Sequence, residues 1–210
     1  MTILIAGFGA FPGAPSNPCE ALALSLRDAW TSSGAAIRSV VLPVEWERSW
    51  PVLRTAIEET GASGVLVFGL HARAARLRLE LDAVNARELG VEDAAGGFPS
   101  GPGVEEGPER LSGAWPLSAS AAALADAGIG FELSRDAGRY LCNDTYYRLC
   151  HYGGGGRLRR FGFVHTPLSD EVLDGWARTG ALPEVCRTIP AARLREAALC
   201  LAEVFAAPEA

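Results

Sequence analysis

The chain has 210 residues, 49% of them apolar and 21% charged, with a net charge of −6. That length fits one domain, residues 1–210, with a substantial core, and the composition is that of an ordinary globular protein. The one basic cluster, Arg157-Leu158-Arg159-Arg160, is too small for a phosphate-tracking surface, and no stretch approaches the roughly 20 apolar residues of a membrane span, so neither nucleic acid nor membrane is an expected partner.

Residues 3–6 form a short apolar run, as do 40–44, 65–68 and 161–164, which predicts strands buried on both faces. The first six residues lack the basic start of a signal peptide. Asn17 suits a helix N-cap, Pro18 the first helical position and Glu20 a capping box. Leu22, Leu26, Ala29 and Trp30 then recur on one face. Pro51 and Gly61 bracket a second helix with Leu53, Ala56, Ile57 and Thr60 on one side. Leu77, Leu79, Leu81 and Ala83 alternate with Arg78, Glu80 and Asp82, the pattern of a half-buried strand added antiparallel or at an edge. Residues 90–113 read as a long surface loop rich in Gly, Pro and Glu. Residues 118–127 are an Ala-rich helix, another helix starts near Cys142, and Gly153 to Gly156 read as a turn. Leu194, Ala197, Ala198, Leu201 and Phe205 mark an amphipathic C-terminal helix. Alternating strands and helices predict an α/β fold, a three-layer α/β/α sandwich around a mostly parallel twisted sheet.

Five cysteines without a CxxC imply reduced thiols and a cytoplasmic location. Cys19, Cys150, Cys186 and Cys200 sit within or beside helical patterns and read as core. Cys142 differs, because Gly138 precedes it in a turn and polar Asn143, Asp144 and Thr145 follow. A helix N-terminus lowers a thiol pKa, and a nearby imidazole supplies a base. Of three histidines, His151 reads as a helix C-terminal cap and His71 as a loop residue near a site rim. His165 ends a strand, where α/β sheets place catalytic groups, and is the best base. Glu80 and Asp82 share one face and are both candidate partners for the imidazole, against the plain reading of a solvated face with Arg78. The spacing of Cys142, Cys150, His151 and His165 matches no common zinc pattern, and Gly7 to Gly13 does not fit a dinucleotide fingerprint.

Several segments in order resemble the pyroglutamyl-peptidase I (pyrrolidone carboxyl peptidase) family. They are Gly7-Phe8-Gly9-Ala10-Phe11-Pro12-Gly13 with Asn17-Pro18, Gly69-Leu70, residues 76–85, Gly107-Pro108, Trp115-Pro116-Leu117, residues 137–143 and Phe163-Val164-His165-Thr166-Pro167. The resemblance implies a cysteine peptidase that removes an N-terminal pyroglutamyl residue through a thioester, with Cys142 as nucleophile, His165 as base and Glu80 as its partner. It implies Phe8 and Phe11 as pocket aromatics, with Asn17 a nearby polar candidate and Arg87 in the place of a family arginine near the oxyanion. Neither metal nor cofactor is implied, and a homo-oligomer, dimer or tetramer, is expected, with Phe98 and Trp115 as exposed apolar loop residues.

The chain departs from the family pattern at Ala10, at Cys19, at Leu81-Asp82 and in a shortened run from Ala86 to Val91. The chemistry is therefore better supported than the substrate. The alternatives are a cysteine amidase of the same fold acting on another N-terminal cap, or a non-catalytic binding protein.

Overall fold

The computed structural model describes residues 1–184 and 186–208. In chain order its elements are β1 (Thr2–Phe8), α1 (Pro18–Ser25), β2 (Ala36–Leu42), α2 (Ser49–Thr60), β3 (Gly64–Leu70), β4 (Leu77–Glu80), β5 (Asp82–Val84) and β6 (Arg110–Ser112). They continue with α3 (Leu117–Asp126), β7 (Phe131–Ser134), α4 (Leu141–Gly153), β8 (Arg160–Thr166), β9 (Leu168–Ser169), α5 (Leu173–Thr179), β10 (Thr188–Ile189) and α6 (Ala191–Ala206).

Six strands form the main sheet in the order β2-β1-β3-β8-β4-β7. β2, β1, β3 and β8 run parallel, β4 turns antiparallel against β8, and β7 runs parallel to β4. One face packs under α2 and α4, where Leu53, Ile57, Tyr146 and Leu149 meet Leu4, Ala6, Val65, Val67 and Phe163. The other packs under α1, α3 and α6, where Leu22, Leu124, Leu194 and Leu201 meet Ile3, Ile5, Leu66, Phe68 and Val164. The three-layer α/β/α sandwich is thus present, and consecutive β1 and β3 residues alternate between the two cores as a doubly covered sheet requires.

The expected elements differ from the observed ones in instructive ways. The first helix stops at Ser25; Asp28 adopts a positive φ of 58° and Trp30 is 62% exposed, so Trp30 does not share a buried face. Asn17 caps as expected, accepting from Cys19 N at 3.0 Å, but the Glu20 carboxylate accepts from Ala10 N instead of closing a capping box. The 77–83 strand breaks at Leu81 into β4 and β5, and β4 is not an edge, because β7 lies outside it. Glu80 and Asp82 are buried, not solvated. Trp115 turns inward against Phe205, so it is not a loop residue free for an interface, whereas Phe98 is exposed. Cys19 and Cys150 are core, but Cys186 and Cys200 are only half-buried. No helix among the described residues is long and apolar enough to cross a membrane.

Candidate active site

β1, β3 and β8 end together at their carboxyl edge, and α4 begins above that edge. Cys142 is the second residue of α4, after Tyr140 as N-cap, and no side chain among the described residues caps this terminus. The first-turn amides of a helix have no intrahelical acceptor partner, so those around Cys142 are free to stabilise negative charge.

His165 and Gly69 are register partners on β8 and β3, so their Cβ directions point to one face of the sheet. A Cβ on Gly69 would stand 2.9 Å from the Cys142 sulfur and 2.6 Å from Phe163 Cζ. The missing side chain is what lets the thiol settle on the sheet beside the His165 position. Glu80 reaches the same imidazole from β4, where Arg78 pairs with His165 and Glu80 with Phe163. His165 Nδ1 and Glu80 Oε1 are 2.8 Å apart, and both side chains are buried. That contact leaves Nε2 as the ring nitrogen that Glu80 does not engage.

Asp82, the fallback partner, is committed elsewhere. It accepts from Ser112 Oγ at 2.8 Å and pairs with Arg135 at 2.6 Å. His151, expected as a C-terminal cap, does lie in the last turn of α4, but its Nδ1 meets Glu105 Oε1 at 2.6 Å. His71 lies at the site, its ring edge-on to His165.

The Cys142 pKa goes against expectation. Burial foremost, then Cys19 and the Glu80 carboxylate, push the thiol well above its ordinary value, and a backbone hydrogen bond at Cys142 lowers it only in part. At neutral pH the Cys142 side chain is therefore a thiol.

Residues without a sequence signal hold this geometry. Tyr146 Oη and Trp115 Nε1 both donate to the Glu80 carbonyl, at 2.7 and 2.9 Å. Asn143, next to Cys142, donates from Nδ2 to the Val84 and Ala86 carbonyls, and its Oδ1 accepts from Val84 N at 2.9 Å. Arg78 approaches Glu80 Oε1 at 3.5 Å and donates to Ser134. Except for Arg78 and Glu80, two residues apart, these partners lie far away in the chain, so no local pattern reveals the contacts.

Of the expected substrate residues, Phe8 is buried and Phe11 half-buried around the same core cluster that Cys142 and Tyr140 border. Asn17 is buried, with Nδ2 on the Gly9 carbonyl at 2.9 Å and Oδ1 on its helix cap. Arg87 is buried too, its Nε 2.6 Å from Asp144 Oδ1 and its guanidinium over the Trp46 ring. Its Nη2 has no hydrogen-bond partner among the described residues. No group of three or more His, Cys, Asp or Glu among the described residues is arranged around a metal position.

A thiol over β3 and a β8 imidazole paired with a buried carboxylate are the groups that acyl transfer by a cysteine hydrolase uses, here on an α/β scaffold. Comparison with known proteins narrows the class. The chain belongs to the pyroglutamyl peptidase family, whose model matches residues 1–203. It is 34% identical to the pyrrolidone-carboxylate peptidase of Clavibacter michiganensis, over 84% of this chain and 83% of that protein. It is also 34% identical to that of Gloeobacter violaceus, over 81% and 83% of the two chains. A mutant pyrrolidone carboxyl peptidase from Pyrococcus furiosus superposes with a TM-score of 0.89 at 26% identity, covering 98% of each chain. The Thermococcus litoralis enzyme superposes at 0.85 with 25% identity, covering 97% of this chain and 92% of that one.

Proposed function

We propose that this chain removes N-terminal pyroglutamate from peptides with Cys142 as nucleophile, His165 as general base and acid, and Glu80 as the residue that fixes the imidazole. The observation that carries the reading is the 2.8 Å Glu80–His165 contact on the sheet face where the Cys142 sulfur fills the space left by Gly69. Glu80 holds the proton of Nδ1, so Nε2 takes the thiol proton as sulfur bonds to the pyroglutamyl carbonyl carbon. The carbonyl oxygen becomes an oxyanion facing the free amides at the start of α4. Collapse breaks the C–N bond, His165 returns its proton to the leaving amine, and a thioester remains. Water, deprotonated by His165, attacks the thioester; free pyroglutamate leaves and Cys142 regains its proton.

Recognition of the lactam falls to Phe8 and Phe11 as apolar walls and to Asn17 and Arg87 as polar groups. Phe11 and Tyr140 are half-buried against the core cluster that Cys142 also borders, and Arg87 Nη2 is a buried donor without a partner among the described residues. A site that bonds the ring carbonyl rejects a prolyl ring, which would leave buried donors unpaired. A homo-oligomer, dimer or tetramer, is expected from the resemblance and is tested by sedimentation at micromolar concentration, and the five cysteines without a CxxC favour a cytoplasmic location.

Acid quench of the enzyme with a pyroglutamyl ester, followed by peptide mapping, tests the mechanism. A pyroglutamyl adduct on the peptide containing Cys142 is expected. An adduct on another residue, or turnover with none at any quench time even where deacylation is slowed, contradicts it. Acylation by a different N-terminal cap, with none by pyroglutamate, would favour the related amidase.

A further inference from the structure

His71 follows β3 at the edge where the triad gathers. Its ring stands edge-on to His165, with centroids 5.6 Å apart and planes at 77°. Its backbone N–H donates to the Thr166 carbonyl at 2.8 Å, which fixes it beside the base. Its Nδ1 is buried and has no hydrogen-bond partner among the described residues, an uncommon state for a buried polar atom. His165 is already held by Glu80 at Nδ1 and by the Phe163 ring, 4.9 Å away at 63°.

We propose that His71 is a positioning residue for the base: neutral, its ring closes a further side of the His165 imidazole; protonated, it takes the site out of action. The inference rests on reading His165 as the base. The charged groups facing His71 are His165 from β8, with Arg78 and Glu80 from β4. Burial first, then the charges of His165 and Arg78, hold its pKa below the ordinary histidine value. At neutral pH the ring is uncharged and does not oppose the imidazolium that forms when Cys142 yields its proton. In acid a charged His71 repels that imidazolium, and the thiol keeps its proton. A ring with a purely structural role would be indifferent to pH.

The test compares wild type, His71→Phe and His71→Ala by kcat/KM on a pyroglutamyl amide from about pH 4 to 9. Cys142 alkylation by iodoacetamide is followed on the same proteins, with Cys142→Ala correcting for other thiols. The wild-type acid limb is expected to fall roughly 10-fold per pH unit as the first proton binds and to steepen toward roughly 100-fold as His71 is protonated, whereas that of His71→Phe stays near 10-fold throughout. At pH near 8, kcat of His71→Ala is expected about tenfold below that of His71→Phe, with KM little changed. Superimposed wild-type and His71→Phe profiles would overturn the protonation role. Equal kcat in the two variants would overturn the positioning role. Alkylation needs no pyroglutamyl group, so a steep wild-type and shallow His71→Phe alkylation profile sustains His71 even if the substrate reading fails.

Discussion

Glu80 spends one carboxylate oxygen on His165 Nδ1 at complete burial, while its Oε2 has no hydrogen-bond partner among the described residues. Glu80→Gln keeps the volume but offers either an amide N–H or a neutral carbonyl to Nδ1, so tautomer and imidazolium stabilisation suffer together. A fall in kcat on the order of 10³–10⁴ is expected, with KM nearly constant. Gly69→Ala drives a methyl into the Cys142 sulfur and Phe163; at least a roughly 100-fold loss of kcat/KM is expected in a variant whose far-ultraviolet dichroism is unchanged. The positions of Cys142 at a helix start and of His165 at a strand end were legible in the sequence, because a turn before a helix and the end of an apolar run are local signatures. Glu80 was not separable from Asp82 by alternation, because both lie on one face. What separates them is the break at Leu81, which sends Asp82 to Ser112 and Arg135 and leaves Glu80 to the histidine.

At the scale of elements, the start of α4 is tied to the chain after β5 by charges in the core. Asp144 accepts from Arg87 at 2.6 Å and from Arg148 at 3.1 Å, and Arg148 reaches on to Glu105 at 3.3 Å. Burial pushes the Asp144 carboxyl up, and Arg148 and Arg87 pull it back. Arg87→Ala would leave a buried carboxylate with one partner, costing about 3 kcal/mol in urea denaturation. The double variant Arg87→Leu with Asp144→Leu is expected to recover most of that loss. Asn85 organises the long loop, accepting at Oδ1 from Val104 N at 2.7 Å and donating to the Glu105 carbonyl at 2.7 Å. The central strands and the C-terminal helix were legible as apolar runs and a clean helical stripe. β7 was not, because Glu132 and Leu133 of an exposed edge strand carry no burial pattern. The early stop of α1 was hidden too, since Leu26 stays buried past the helix while Trp30 leaves it.

The whole molecule should lose stability in acid through two separate windows. His71 is held below its ordinary pKa, so the unfolded chain takes a proton first, and stability falls as pH drops from about 6.5 through the folded value. Asp93 is buried, which raises its pKa, but three backbone donors, Trp46, Gly97 and Ala95, outweigh that and hold the carboxyl low. Its contribution is present above about pH 4 and is lost as pH falls through the folded value. Melting temperatures between about pH 3 and 8 should therefore show a shallower upper window in His71→Phe and a shallower lower window in Asp93→Asn.

The central claim is that one thiol on this fold cleaves after pyroglutamate, and hydrolysis of fluorogenic pyroglutamyl, prolyl and glutaminyl amides by wild type and Cys142→Ala tests it most directly. Turnover of the pyroglutamyl amide alone, lost by at least about 10⁴-fold in Cys142→Ala, is the predicted result. Prolyl turnover comparable to pyroglutamyl, or full activity without Cys142, would contradict it.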